Sequence, residues 1–147
     1  LNMINQNVLS LCQKNSKIVF KLNNLLGIDF GERYIGLAIK KENLSVPYAH
    51  KVIDQTKSNL IKELEKTIDE EKITKIIIGN PIGLNNNASR MSKLVDEFIK
   101  NDLTTNFNIP IIKIDERFTS KILNKSKSKR NDDLSAVKIL ETFDRNE

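Results

Sequence analysis

Hydrophobic and polar positions after residue 24 predict three consecutive strands with no helix between them. The segment Leu25 to Lys40 contains two apolar runs joined by a short turn, with Glu32 and Arg33 at its tip, which is typical of a β-hairpin. Val46 to Ile53 can form a third strand, with Pro47 near its start, where a missing N–H is tolerated at a sheet edge. The pattern therefore predicts an antiparallel meander of three strands.

The remainder of the chain alternates between helical and strand patterns. Helical periodicity covers Ser58 to Glu71, a helix capped by Ser89, and Asp132 to Asp144, whereas Lys75 to Ile78 and Ile109 to Ile114 are short apolar runs typical of strands. Strands that are connected through a helix pair in parallel. The predicted fold class is therefore α/β, namely a ribonuclease-H-like five-stranded mixed sheet, with three antiparallel strands then two parallel strands, flanked by helices.

Composition limits the classes of protein and of metal site that this chain can form. At 147 residues it fits one domain, and 39% hydrophobic with 29% charged residues describe an ordinary soluble globular protein. No apolar run approaches the ~20 residues of a membrane-spanning helix. Cys12 and His50 are the only cysteine and histidine, and His50 is expected to be a partly buried strand residue. A metal would then be held mainly by oxygen ligands, which favours magnesium or manganese.

Residues 1–24 are interpreted as an N-terminal extension that precedes a domain at residues 25–147. The extension carries Lys14, Lys17 and Lys21 but no acidic residue, and it is rich in asparagine and glutamine. It lacks the apolar core of about 7–15 residues and the small-residue cleavage site of a secretory signal. We therefore expect a cytoplasmic location.

Three acidic residues occur at strand or helix ends that an open α/β sheet would bring to one edge. Asp29 interrupts the first apolar strand, Glu116 comes shortly after the strand that ends at Ile114, and Asp132 begins the last helix. Each acid also has an ordinary structural explanation: a turn residue, a solvated surface charge and a helix cap, respectively. The expected convergence of all three favours a shared site.

Convergent carboxylates repel one another unless cations lie between them. Two magnesium ions about 3.5–4 Å apart can activate water, bridge a scissile phosphate and stabilise the leaving oxygen without histidine or cysteine. The pattern therefore predicts that Asp29, Glu116 and Asp132 are metal-binding catalytic residues. It also predicts Mg²⁺ or Mn²⁺ as the cofactor and phosphodiester hydrolysis as the reaction.

Basic residues are concentrated just before the final helix. The segment Lys121 to Arg130 contains Lys127, Lys129 and Arg130 among serines and asparagines, and it has no apolar periodicity. It is interpreted as a loop that neutralises phosphates, although a solubilising linker explains the same composition. Across the chain, 24 lysines and arginines against 19 acids give a net charge of +5, which raises the odds of a polyanionic partner.

Four segments together carry a family pattern. They are GIDFGERYIGLAI at 27–39, IIIGNPIGLNN at 76–86 with a following Ser89, IPIIKIDERFTS at 109–120, and DDLSAVKILETF at 132–143. Individually each segment is of modest specificity, but jointly they resemble the YqgF/RuvX-type family of pre-16S rRNA nucleases and Holliday-junction resolvase homologues. The resemblance covers Leu25 to the C-terminus.

The resemblance assigns roles to individual positions. It implies that Asp29, Glu116 and Asp132 match the family's metal-binding catalytic acids, and that Arg33 and Arg117 match basic positions that meet phosphate. It matches structural positions at Gly31, Gly36, Gly79 and Pro81. Three features depart from the family pattern: a shortened interval between Ser120 and Asp132, asparagines at 80 and 85–87 in a loop that is more often apolar, and the N-terminal extension.

The resemblance implies a metal-dependent nuclease that processes the 5′ end of precursor 16S rRNA, with the small-subunit precursor as a partner. The alternative enzyme is a Holliday-junction resolving DNA endonuclease, which would need a two-fold dimer to cut symmetric strands, and both monomer and dimer stay open. A third hypothesis is a non-catalytic nucleic-acid-binding factor in ribosome assembly. Sugar-kinase and actin-like ATPases begin with a similar Asp-x-Gly hairpin, but this chain is too short for their two lobes.

Overall fold

The computed structural model describes residues 22–82, 89–116 and 132–147, with the backbone alone described at 132 and 133. The strands are β1 (Leu25–Phe30), β2 (Tyr34–Lys40), β3 (Tyr48–Asp54), β4 (Lys75–Asn80) and β5 (Ile111–Asp115). The helices are α1 (Leu60–Glu71), α2 (Arg90–Phe98), α3 (Thr104–Asn106) and α4 (Asp132–Asn146), and a π-helical turn, Ile99–Leu103, joins α2 to α3. The predicted order of strands and longer helices is confirmed.

The five strands form one mixed sheet in the order β3-β2-β1-β4-β5. β1 pairs antiparallel with β2, and β2 pairs antiparallel with β3, which confirms the predicted meander. β4 pairs in parallel with both β1 and β5, as expected for strands that are connected through helices. The carboxyl ends of β1, β4 and β5 therefore meet at one edge of the sheet, called the catalytic edge below because the sequence predicts its catalytic acids there.

Helices cover the two faces of the sheet, and each face has its own hydrophobic core. Leu26, Ile28, Ile76 and Ile78 pack with residues of α1 and α2 on one face, called the α1/α2 face. The residues between them in the strands face α4, where Ile77 packs against Ala136, Ile139 and Leu140, and this is the α4 face. Burial on both faces explains why Ile76 to Ile78 is continuously apolar, because each fully buried side chain stabilises the fold by about 1.5–3 kcal/mol.

Asparagine side chains fix both ends of α1. The Asn59 side chain accepts a hydrogen bond from the Lys62 backbone N–H at 3.2 Å and so caps the first turn. At the other end, the Asn24 side chain donates to the Glu71 and Lys72 carbonyl oxygens at 3.0 and 3.2 Å. These contacts tie the chain that enters β1 to the end of the helix that leads into β4.

Helix α4 runs antiparallel to β1. Near its C-terminal end, Asp144 accepts a hydrogen bond from Lys40 at 2.5 Å, and Lys40 lies opposite Leu25 at the beginning of β1. Its earlier residue Ala136 lies over Gly27, where a Cβ atom would be only 2.9 Å from the Ala136 carbonyl oxygen. The N-terminal end of α4 is therefore directed toward the catalytic edge.

Some predictions fall on residues that the structure does not describe. These are the N-terminal extension up to residue 21, the asparagines at 85–87, Arg117, Lys127, Lys129 and Arg130, and the shortened interval after Ser120. His50 is described: it is half-buried in β3, as predicted, and burial lowers its pKa. Within the described ranges, no helix is long and apolar enough to cross a membrane.

Candidate active site

Asp29 lies one residue before the end of β1, opposite Gly36 of β2. Ile28 packs on the α1/α2 face, and successive strand residues alternate between faces, so Asp29 lies on the α4 face. The side chain is half-buried rather than dry, because the strand reaches the catalytic edge at this point. Asp29 thus interrupts the apolar strand, as predicted, near the end of that strand.

Glu116 follows β5 directly, and its carboxyl group occupies the space over Gly79 of β4. A Cβ atom built on Gly79 would collide with Glu116 Oε1 and would lie 2.8 Å from Glu116 Cδ and 2.7 Å from Ile139 Cδ1. A Cβ atom here would force the ends of the Glu116 and Ile139 side chains to move, so glycine leaves the space that the carboxyl group occupies. Gly79 thus makes room for the Glu116 carboxyl group over β4.

Asp29 and Glu116 approach the same region from the two strands that flank β4. Ile28 is in register with Ile78, and extending this parallel register by one residue places Asp29 beside Gly79. The Glu116 carboxyl group lies over Gly79 itself. The structure therefore brings together two of the three predicted acidic residues, on the α4 face of the sheet.

The electrostatics of Glu116 reflect this crowding. Burial, followed by the negative charges of Asp29 and Asp115, raises its pKa to about 7 from an ordinary value of 4.5. The ionised carboxyl group is thus disfavoured by its surroundings, and a nearby cation would reverse that balance. Asp115 was not predicted as part of the site, and its charge adds to the local negative potential.

Glu116→Gln is expected to stabilise the metal-free protein at alkaline pH. Because the folded-state pKa is raised, the native protein becomes less stable as the pH rises from about 4.5 to about 7, as Glu116 loses its proton. Glutamine carries no such charge, so the variant should gain stability on the order of 2–3 kcal/mol relative to the native protein between pH 4 and pH 8.

Urea unfolding in EDTA across this pH range measures the effect. Glu65→Gln, which removes an exposed carboxylate from α1, is the matched control and should leave the native pH profile unchanged. Parallel profiles for the native protein and Glu116→Gln would contradict the crowded acidic site.

The beginning of α4 reaches the level of these two acids. From Gly27 to Asp29 the strand advances two residues, which is about 7 Å. Ala136 lies over Gly27. The first residue of α4 is four residues before Ala136, a distance of about 6 Å along the helix. The backbone of Asp132 is therefore near the height of Asp29 along the sheet, and the side chain of Asp132 lies outside the described part.

The donor set fits a hard divalent cation. Carboxylate oxygens are the ligands that magnesium and manganese prefer. Burial first, and then the charges of Asp29 and Asp115, raise the pKa of Glu116, and a bound cation would offset both effects. Among the side chains that the structure describes, no group of three histidine, cysteine or acidic residues is close enough to hold a metal. The described part therefore supplies two of the three predicted carboxylates.

The tip of the β1–β2 hairpin is joined to two neighbouring parts of the chain. Gln55, just after β3, donates to the backbone oxygens of Gly31 and Glu32 at 2.8 and 3.0 Å. From α2, Arg90 donates to both carboxylate oxygens of Glu32 at 2.5 and 2.9 Å. This bond to Arg90 holds the pKa of Glu32 below its ordinary value. The turn that follows Asp29 is thereby held in place.

Arg33 is the one predicted phosphate-binding residue within the described ranges. Its guanidinium lies 4.9 Å from the centre of the Tyr34 ring and 3.6 Å from an Asp54 oxygen. The side chain is 60% exposed, so its remaining donors face solvent. Arg33 is therefore available to a polyanion at the catalytic edge.

A cavity of about 460 Å³ lies away from the acids, on the α1/α2 face. Its lining includes Phe30 and Phe98, whose rings stack at 4.7 Å, and the carboxylates of Glu97 and Asp102. Those carboxylates would repel a phosphate, and the cavity shares none of the three predicted catalytic acids. We assign it no part in the chemistry.

Comparison with a family model decides the family. The model, described as RuvX, a Holliday junction resolvase, matches residues 23–144. The chain belongs to the RuvX family. This confirms the family that the four sequence segments predicted.

Curated relatives of this RuvX-family chain share much of its length. A protein of Rickettsia bellii (strain OSU 85-389), named "Putative pre-16S rRNA nuclease", is 33% identical over 129 residues, which cover 80% of this chain and 83% of the relative. A protein of the same name from Mycoplasmopsis synoviae (strain 53) is 35% identical over 130 residues, covering 80% and 94%. The relatives thus match this chain along most of their own length.

Among solved structures, RuvC of T. thermophilus in complex with a Holliday junction substrate resembles the RuvX-family chain. The alignment covers 84% of this chain and 95% of RuvC, with a TM-score of 0.51 and 10% sequence identity. At this identity the similarity concerns the fold, and it confirms the predicted ribonuclease-H-like architecture.

Proposed function

We propose that this RuvX-family protein is a divalent-metal-dependent nuclease that hydrolyses phosphodiester bonds at the 5′ end of precursor 16S rRNA. The observation that carries the proposal is the placement of the Glu116 carboxyl group over Gly79, beside Asp29, at the shared carboxyl ends of β1, β4 and β5. The choice of RNA as substrate rests on the names of the relatives.

In this proposal Asp29, Glu116 and Asp132 hold Mg²⁺ or Mn²⁺. Bound there, the cation supplies Lewis-acid stabilisation of the charge that develops on the phosphate and promotes ionisation of the attacking water. The chain's own contribution is to fix the carboxylates. Asp29 is anchored in the middle of the sheet, Glu116 fits the space that Gly79 leaves open, and Asp132 begins a helix that packs across β1 and β4.

Basic residues orient the nucleic acid backbone in this proposal. From the tip of the β1–β2 hairpin, Arg33 contacts one phosphate of the RNA. Further phosphates of the same RNA strand are contacted by Arg117, Lys127, Lys129 and Arg130. Such contacts fix the register of the substrate but carry no sequence information.

The small-subunit precursor is the proposed partner, and the cytoplasm is the proposed location, because precursor rRNA is found there in bacteria. For RNA trimming a monomer suffices, since a single site cuts a single strand. Junction resolution would instead require two sites related by a two-fold axis. Oligomeric state therefore separates the two candidate substrates.

Incubation with Mn²⁺ or Mg²⁺ tests the proposed activity. The substrates are an end-labelled RNA that spans the 5′ leader junction of precursor 16S rRNA and, in parallel, a synthetic four-way DNA junction. We expect cleavage of the RNA that EDTA abolishes, and a monomer by light scattering. No cleavage of either substrate would contradict a stand-alone nuclease.

The family description and the fold it shares with RuvC favour one alternative, a junction-resolving DNA endonuclease. Symmetric cutting of the DNA junction by a dimer, with the RNA left intact, would establish this alternative. Binding of either nucleic acid without cleavage, in the presence of either metal, would instead indicate a non-catalytic factor.

A further inference from the structure

The beginning of helix α2 lies against the end of the central strand β4. Hydrogen bonds join it to Asn80 and Pro81, the two residues that follow Gly79. The Ser89 hydroxyl donates to the Pro81 carbonyl at 2.6 Å and accepts from the Ser92 backbone N–H at 3.1 Å. The Ser92 hydroxyl donates to the buried Asn80 side chain at 2.6 Å. Arg90, on this first turn, is thereby fixed next to the catalytic edge.

Arg90 also reaches the hairpin that follows Asp29. Its two terminal nitrogens donate to the two carboxylate oxygens of Glu32 at 2.5 and 2.9 Å, and this pair joins residues that are 58 positions apart. The pair is exposed, since 75% of the Arg90 side chain and 50% of the Glu32 side chain are accessible. Arg90 therefore joins the beginning of α2 to the hairpin turn that follows Asp29.

The paired guanidinium keeps further binding capacity. Arginine has five N–H donors in a planar fork, and the bidentate pair with Glu32 engages two of them. Planar, bidentate donors suit phosphate as well as carboxylate, so a phosphate can take the place of the Glu32 carboxylate. The pair lies in solvent, which screens the attraction between the two charges, so a phosphate can compete with Glu32 for the guanidinium.

We infer that Arg90 is a substrate-binding residue, which exchanges Glu32 for a phosphate of the nucleic acid that enters the site. Glu32 holds the guanidinium in place when no substrate is bound. This inference rests on the proposed nuclease function, and it adds a residue from helix α2 to the predicted set of basic contacts.

Two variants that break the same ion pair distinguish this role from a structural clamp. Arg90→Gln removes the phosphate contact, whereas Glu32→Gln removes the competing carboxylate and leaves the guanidinium available. The exchange therefore predicts opposite effects on nucleic acid binding. A clamp that only holds the hairpin would weaken binding in both variants. Arg90→Lys, which keeps the charge but loses the planar fork, separates a direct phosphate contact from a general effect of charge.

Binding of the full-length protein to the leader RNA is measured by fluorescence anisotropy in EDTA, over a range of salt concentrations. For Arg90→Gln we expect binding about tenfold weaker. We also expect the slope of log K against log salt to become shallower by about 0.7–0.9. Glu32→Gln should bind at least as tightly as the native protein, with an unchanged or steeper slope. Arg90→Lys, which keeps the charge, should restore the slope but only part of the affinity.

Lys66→Gln is the matched control, because Lys66 is also an exposed cation with a carboxylate neighbour, Glu70, but it lies on α1. This variant should bind RNA like the native protein. Equal weakening by Arg90→Gln and Glu32→Gln, or an unchanged slope in Arg90→Gln, would overturn the inference. Absence of salt-dependent binding by the native protein, to RNA and to junction DNA alike, would overturn the proposed function as well.

Discussion

Asp29→Asn is expected to lower the rate of RNA cleavage by at least about 10²–10³-fold, the loss typical when one preorganised electrostatic group is removed from an active site. Asparagine keeps the shape of the side chain but loses the negative charge and a strong cation ligand. The paired backbone of β1 and β2 at this position should keep the fold intact. The measurement is single-turnover cleavage of the leader RNA with saturating Mn²⁺.

The same variant should bind manganese more weakly but bind RNA in EDTA at least as well as the native protein, because one repulsive charge has been removed. Free Mn²⁺ is followed by its electron paramagnetic resonance signal, so metal binding is measured without reference to activity. Asp69→Asn, an exposed substitution on α1, is the control and should change neither property. Cleavage by Asp29→Asn at the native rate would exclude Asp29 from the site.

The order of the elements could be predicted from sequence because each has a strong local pattern. The apolar stripe in residues 58–71 predicts a helix, and the short β-branched run Ile76 to Ile78 predicts a strand. Because a helix connects this strand to the preceding ones, it pairs in parallel with β1. Helix α2 was predicted from its cap at Ser89, and the structure confirms this cap. The π-helical turn at Ile99–Leu103 was not predicted, since the apolar stripe before it has ordinary helical spacing.

Only those parts of the site that lie at the ends of strands and helices could be predicted from the sequence. Asp29 and Glu116 could be paired from sequence because both lie at the ends of strands that share one edge. The contribution of Gly79 could not, since it depends on the register of β4 against β5, which places Gly79 opposite Ile114. Arg90 could not be predicted either, because no local pattern shows that the beginning of α2 meets the hairpin turn 58 positions earlier in the chain.

Gly79→Ala is expected to reduce activity almost as much as loss of Glu116, by about 10²-fold or more, although residue 79 carries no functional group. The new Cβ atom would collide with the Glu116 carboxyl group and press on Ile139, so the carboxyl group must leave its place over β4. Both clashing groups are ends of flexible side chains, so the loss of stability should lie at the low end of the ~1–3 kcal/mol that overpacking costs. Cleavage rates and urea unfolding measure the two effects separately.

Gly27→Ala is the matched control for this substitution, because Gly27 lies under the same helix on the adjacent strand. A Cβ atom there would meet Leu140 and Ala136 but not Glu116. This variant should lose more stability, because the Ala136 oxygen belongs to the backbone of α4, yet its folded fraction should lose less activity, since the Glu116 carboxyl group keeps its place over Gly79. Equal loss of activity in both variants would mean that the position of α4, rather than that of Glu116, controls the site.

A double-mutant cycle isolates the contact between Gly79 and Glu116. When Glu116 is replaced by alanine, the carboxyl group that blocks the new Cβ atom is gone, so Gly79→Ala should destabilise that background less than it destabilises the native protein. A coupling energy above about 0.5 kcal/mol is the usual sign of direct contact. If the two losses of stability were additive, Gly79→Ala would destabilise the fold through Ile139 alone. Gly79 would then not explain the position of the Glu116 carboxyl group.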